Sequence, residues 1–141
     1  MGTRREAREL ALQTLYQLDV TGDEDVGVGA HFGGDPEAIA FARQLVDGVR
    51  GDRERIDELI AHASEHWRLP RLSRVDLSLL RLSTYELLAC PDIPASVTID
   101  EAVEIARRFG SEDSASFVNG VLDAIATSVG AKHKEKAGTP E

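Results

Sequence analysis

The chain is short of cysteine, of aromatic residues and of lysine, and it has no long apolar run. A lone cysteine, Cys90, among 141 residues excludes an internal disulfide and leaves no second thiol for a metal site, which suits a reducing compartment. As a nucleophile Cys90 would need a histidine base, and none stands near it in sequence. It therefore reads as a small residue filling the end of an apolar helix. No apolar stretch approaches the ~18 residues a bilayer crossing takes, and the charged opening lacks the apolar segment of a signal peptide. A cytoplasmic protein is expected. Gly2 does not begin a myristoylation signal, because Glu6 stands where that signal requires Ser or Thr. The glycine-rich residues 22–34 lack the Gly-Lys-Ser/Thr ending of a phosphate loop.

What is present is an ordinary globular composition, with 42% hydrophobic and 29% charged residues but only 5% aromatic. A domain of this size buries roughly 68% of the surface its unfolded chain exposes, enough for a core without staples. The net charge of −9 excludes indiscriminate coating of nucleic acid, because such binding draws its free energy from neutralising phosphates. Any RNA contact must be local. Lys132, Lys134 and Lys136 all lie after Gly130, so every positive side chain before that point is arginine, the better planar fork for phosphate. A coding preference for arginine is the competing account.

Helical periodicity dominates. Thr3 to Glu6 has the spacing of a capping box, and Ala7, Leu10, Ala11, Thr14 and Leu18 recur at helical period. The first helix is predicted to reach about Asp19. Residues 21–34 read as a flexible connection. Asp35-Pro36 is an N-cap followed by proline at the first helical position, and Ile39, Ala42, Val46 and Val49 carry that helix to Gly51. Asp52 caps a third helix toward Trp67. After Pro70, Ser73 to Asp76 again has capping spacing, and Val75, Leu77, Leu79, Leu80, Leu82, Leu87 and Leu88 cover nearly the whole circumference, the mark of a buried central helix. Pro91 and Pro94 end it. Thr98 to Glu101 is a third capping box, opening a helix through Phe109, and Ser114 caps the last one. Asn119-Gly120 ordinarily signals a hairpin turn, but its flanks are helical and the helix is retained.

Two further features invite chemistry. His62-Ala-Ser-Glu65-His66 matches the inverted zinc-protease pattern, yet a catalytic zinc needs a third ligand and a cleft that helices of this length scarcely provide. A polar helix face beside Trp67 is the simpler reading. Asp100 and Glu101 fit first-turn charges favoured by the helix dipole. No catalytic constellation, metal site or cofactor is expected.

The first helix is different. Arg4 and Arg5 oppose the dipole in its first turn, and Arg4, Arg8 and Arg5 fall within about a 100° arc. Such a cluster beside a helix N-terminus would welcome an anion, and a phosphate backbone relieves both conflicts. A solvated face with Glu6 and Glu9 as partners is the alternative. Leu12 and Tyr16 lie off the main apolar stripe, as an exposed pair for a partner protein or as residues covered by later helices. Phe117 and Asn119 offer a ring and an amide suited to an unstacked base, although Phe117 also fits the core.

The residues Arg4-Arg5-Glu-Ala-Arg8, Ala11-Leu-Gln13-x-Leu15-Tyr16, Arg74-Val-Asp76, Tyr85-Glu86-Leu87, Ile93-Pro94, Asp100-Glu101-Ala-Val103 and Phe117-Val-Asn119-Gly120 together resemble the bacterial NusB family of transcription antitermination factors. The resemblance covers nearly the whole chain in the family's order. It implies an all-α protein of about six to seven helices: a single domain over 1–130, with an N-terminal bundle of about 1–67, a C-terminal bundle of about 71–130 and a disordered tail over 131–141. It also implies a non-enzymatic factor that pairs with ribosomal protein S10 (NusE) and binds boxA RNA of ribosomal RNA operon transcripts within an RNA polymerase antitermination complex. Arg4, Arg5 and Arg8 match the family's RNA-binding opening, and Asp113, Ser116, Phe117 and Asn119 match its RNA-facing region. Tyr16 and Asp76 match positions facing S10, beside Leu12. A homodimer of the free protein stays open. The departures are the divergent 22–34 stretch, Glu6 within the arginine cluster and the acidic balance. Two other readings stand beside this one: a helical adaptor for protein alone, and a relative of the NusB-like domain of rRNA cytosine methyltransferases. For the latter, no Gly-rich cofactor loop follows Asn119-Gly120.

Overall fold

The computed structural model describes residues 2–22, 35–64 and 72–131, all helices and their connections. In chain order they are α1 (Gly2–Thr21), α2 (Pro36–Gly51), α3 (Arg53–Ser64), α4 (Arg74–Ala89), α5 (Ala95–Phe109) and α6 (Ser114–Ser128). The expected all-α architecture is the observed one. Glu65 and His66 of the H-x-x-E-H motif, Trp67, most of the glycine-rich stretch and the lysine-bearing tail lie outside the described residues.

Helix α4 organises the rest. It packs against all five other helices, while α1 pairs with α2, α5 pairs with α6 and α3 reaches α6. Residues from Asp76 through Thr84 are buried without interruption, and Leu79, Leu80 and Leu82 are wholly enclosed. A single hydrophobic cluster draws on all six helices. Each fully enclosed leucine contributes on the order of 2–3 kcal/mol through removal of its surface from water. Cys90 closes α4 as a buried residue at its C-cap.

The caps follow the sequence in part. Asp35 accepts from the Glu37 N–H, with Pro36 behind it, and Ser73 accepts from the Asp76 N–H at 3.0 Å. Two expected capping boxes are corrected. Thr3 lies inside α1, and its hydroxyl donates to Asp35 Oδ2 at 3.1 Å, tying α1 to the cap of α2. Thr98 lies inside α5, which begins at Ala95 because Pro94, with φ of −58° and ψ of 144°, is the non-helical residue at its N-cap. Asp100 and Glu101 are consequently not in the first turn. Ser114 is the first helical residue of α6 rather than its cap, and its Oγ accepts from the Ser111 N–H instead.

The helix through Asn119-Gly120 is continuous. Gly130 ends it with φ of 73°, and the Ala131 N–H reaches back to the Ala126 carbonyl at 2.9 Å, a closure that favours glycine at the left-handed position. Gly48 serves a different purpose. A Cβ there would lie 2.1 Å from the Tyr85 ring, so this glycine lets α2 approach α4.

Two glycines should therefore respond oppositely to alanine. In denaturant unfolding, Gly48→Ala is expected to cost about 1–3 kcal/mol through overpacking. Gly120→Ala, whose added carbon meets nothing within 4 Å, is expected to gain up to about 1 kcal/mol.

Candidate nucleic-acid interface

The three arginines that open α1 meet different environments. Arg4 and Arg5 are exposed, whereas Arg8 keeps only 3% of its surface. Arg8 Nε donates to Glu86 Oε2 at 3.0 Å and its Nη2 donates to Glu86 Oε1 at 2.5 Å. The Thr98 hydroxyl donates to the same Oε1 at 2.9 Å. One buried carboxylate thus joins α1, α4 and α5. The expectation that Arg8 belongs to the exposed docking arc is corrected: the 40° between Arg4 and Arg8 on the helix is enough to turn Arg8 toward α4.

Arg4 stacks over Phe41 of α2 at 4.7 Å from the ring centre, a cation–π distance, and its Nη2 lies 3.4 Å from Asp92 Oδ2. Arg5 forks onto Glu101 of α5 with contacts of 3.1 and 3.3 Å. That hydrogen bonding, with the Glu101 charge behind it, raises the Arg5 pKa above its ordinary value. One turn further along α1, Glu9 accepts from Arg108 of α5. The opposite end of α1 is anchored in the same manner: Asp19 accepts from Arg74 at 3.0 Å and lies 3.8 Å from Nη1 of buried Arg81, which also forks onto Asp57 of α3.

The residues expected near the last helix divide between two depressions. Ser116 and Asn119 line a groove of about 660 Å³ between α5 and α6, together with Glu104 and Arg107. Asp113 and Phe117 line a separate pocket of about 280 Å³, facing Asp76 across from α4. Phe117 is half-buried and packs against the core. Asp76 is 8% exposed, and its Oδ1 has no hydrogen-bond partner among the described residues.

On the outer side of α1, Tyr16 is 40% exposed and Val20, one turn on, is 50% exposed. Leu12 is buried at 5%. Of the two accounts open for Leu12 and Tyr16, burial holds for Leu12, which is drawn into the common core, and exposure holds for Tyr16, whose exposed apolar neighbour is Val20.

Sequence reasoning missed Phe41, Asp92 and Arg108 as parts of this surface, and Glu86 and Thr98 as the buried groups beneath it. Glu86 carried a readable signal, since a carboxylate on a helix apolar nearly all round requires a buried cation. The others depend on the fold alone. Among the described residues no group of three or more His, Cys, Asp or Glu side chains gathers as for a metal ion, and no helix is long and apolar enough to cross a membrane.

Among the described residues these features make a small all-helical protein with two exposed arginines at the start of α1 and two depressions beside α6. The NusB family model matches residues 5–127. The transcription antitermination protein NusB of Geobacter sp. (strain M21) is 48% identical, the alignment covering 92% of this chain and 97% of the relative. The solved structure of T. maritima NusB shares the fold at a TM-score of 0.86 and 43% identity, covering 94% of this chain and 96% of that one. A structure of antitermination factors NusB and NusE in complex with dsRNA aligns at a TM-score of 0.80 and 28% identity, over 91% of this chain and 98% of that one. The chain belongs to the NusB family, whose members are transcription antitermination factors and not enzymes.

Removing the buried arginine should separate it from its neighbours. Arg8→Ala leaves Glu86 enclosed without a counter-charge and is expected to cost about 3–5 kcal/mol in denaturant unfolding. Arg4→Ala and Arg5→Ala, at exposed pairs, should leave the unfolding midpoint nearly unchanged.

Proposed function

We propose that this chain is a cytoplasmic RNA-binding antitermination factor that pairs with ribosomal protein S10 (NusE) and holds boxA RNA of ribosomal RNA operon transcripts in the RNA polymerase antitermination complex. The observation that carries the reading is the likeness, over nearly the whole chain, to a NusB solved together with NusE and dsRNA. The surface supports it. Arg4 and Arg5 stand exposed at the α1 N-terminus, where guanidinium forks and free backbone N–H groups suit phosphate. Ser116 and Asn119 lie in an open groove able to admit base edges, and Asp113 and Phe117 border the second pocket.

Arg8 has a positioning role in this reading. Its ion pair with Glu86 sets the azimuth of α1 and hence where Arg4 and Arg5 point. The S10 face is Tyr16, with Val20 beside it and Leu12 supporting from beneath. Asp76, which lines the pocket between α4 and α6, belongs to the same face in this reading.

Titration of a labelled boxA RNA, with and without S10, tests the reading directly. Binding is expected to strengthen with S10, and no binding in either condition at moderate salt rules the RNA role out. Arg5→Ala should weaken binding and reduce the magnitude of the salt slope by about 0.7 for a single strand; an unchanged slope removes Arg5 from the phosphate contacts. Tyr16→Ala should weaken S10 association by about tenfold or more in calorimetry, the scale of an exposed aromatic anchor. Undiminished affinity places the S10 face elsewhere.

A further inference from the structure

Each exposed arginine along α1 and α5 that borders the proposed RNA path is already held by a carboxylate. Arg4 meets Asp92, Arg5 meets Glu101, Arg107 meets Glu104 and Arg108 meets Glu9. Two of these pairs cross the seam between α1 and α5 in opposite senses. In Arg5–Glu101, α1 supplies the cation; in Glu9–Arg108, it supplies the anion. The two glutamate side chains are each 22% exposed, against 51% for Arg5 and 55% for Arg108. The acids are thus the better anchored partners, and the guanidiniums are the ends that water and solutes reach. Arg108 also lies over the Phe109 ring at 5.2 Å. It stands next to Arg107, which lines the groove of Ser116 and Asn119, so Arg107 and Arg108 join the α1 seam to that groove across the ridge of α5.

Glu101 takes the Nε/Nη2 edge of Arg5 and Glu9 takes Nη1 of Arg108, so a phosphate that uses these donors must displace the carboxylate, and one that uses the remaining donors meets a charge already neutralised. We propose that Glu9 and Glu101 are specificity-determining residues of the RNA surface, acting as intramolecular competitors for phosphate, and that Arg108 is a further phosphate contact continuing the tract from α1 toward α6. This rests on the RNA-binding reading given above. Phosphate contact becomes an exchange of one charge-assisted pair for another, so the sequence-independent share of binding is small. Discrimination then falls to the groups that meet bases. The acidic side chains beside the arginines serve to suppress unspecific RNA.

The test compares a boxA-bearing strand with a poly-uridine strand of equal length, by fluorescence anisotropy with the full chain and S10. Glu58→Gln, exposed on α3 and outside the tract, makes the same change in net charge. Glu101→Gln and Glu9→Gln are expected to tighten poly-uridine binding by about two- to fivefold more than Glu58→Gln, the scale of an exposed ion pair, and to narrow the preference for boxA. The gain from Glu101→Gln should vanish in an Arg5→Ala background, and Arg108→Ala should weaken both strands alike. Equal effects of all three glutamine variants overturn the competitor role, and unchanged binding by Arg108→Ala overturns that contact. Failure of the wild type to bind either strand overturns the RNA-binding reading itself and this inference with it.

Discussion

Arg8, Glu86 and Thr98 form a buried polar junction on which the placement of the candidate interface depends. Taking a guanidinium and a carboxylate out of water is costly, and their attraction offsets that cost only when geometry is good and spare lone pairs are used. Here both guanidinium contacts are short, and the threonine hydroxyl occupies a further acceptor site. The three residues come from α1, α4 and α5. Apolar packing would hold α1 against α4 in several neighbouring rotations of similar free energy, whereas a two-pronged ion pair selects one. That rotation is the one that lays Arg4 over Phe41 and Arg5 against Glu101.

Burial then divides residues of one type into two behaviours. Arg8 is enclosed, and no solute can replace its partner without unfolding the surroundings. Arg5 makes a fork of the same kind with Glu101, but water screens it, so that pair is weak and exchangeable. A protein of net charge −9 can in this way keep a basic strip on its surface. The arginines are ordered by their acidic partners before any ligand arrives, which lowers the entropy lost on contact.

The central position of α4 gives the rest of the molecule its economy. Because α4 touches every other helix, the N-terminal and C-terminal helices do not need separate cores, and residues far apart in the chain reach one face. Arg5 meets Glu101, and Glu9 meets Arg108, across the seam that α4 underlies. Phe117 and Asp76 converge on one pocket in the same manner.

Much of this was legible in the chain alone. Periodicity of 3.6 located the six helices, because burial of one stripe per helix is a local demand written into residue spacing. Asp35-Pro36 and Ser73 marked true starts for the same reason: their bonds are made within one turn. The uniformly apolar α4 announced a centre. Tertiary structure decided what local pattern left open. Thr3 and Thr98 have capping spacing, yet their hydroxyls serve Asp35 and Glu86, partners distant in sequence. Leu12 and Arg8 sit at the edge of the apolar stripe, where a few tens of degrees of helix rotation separate core from surface, and only the packing of α1 on α2 and α4 sets that angle. The sequence by itself determined the helices, the buried α4 and the arginines at the start of α1. The assembled fold decided which arginine is structural, which are exposed and which carboxylates hold them, because those outcomes rest on contacts made across the chain.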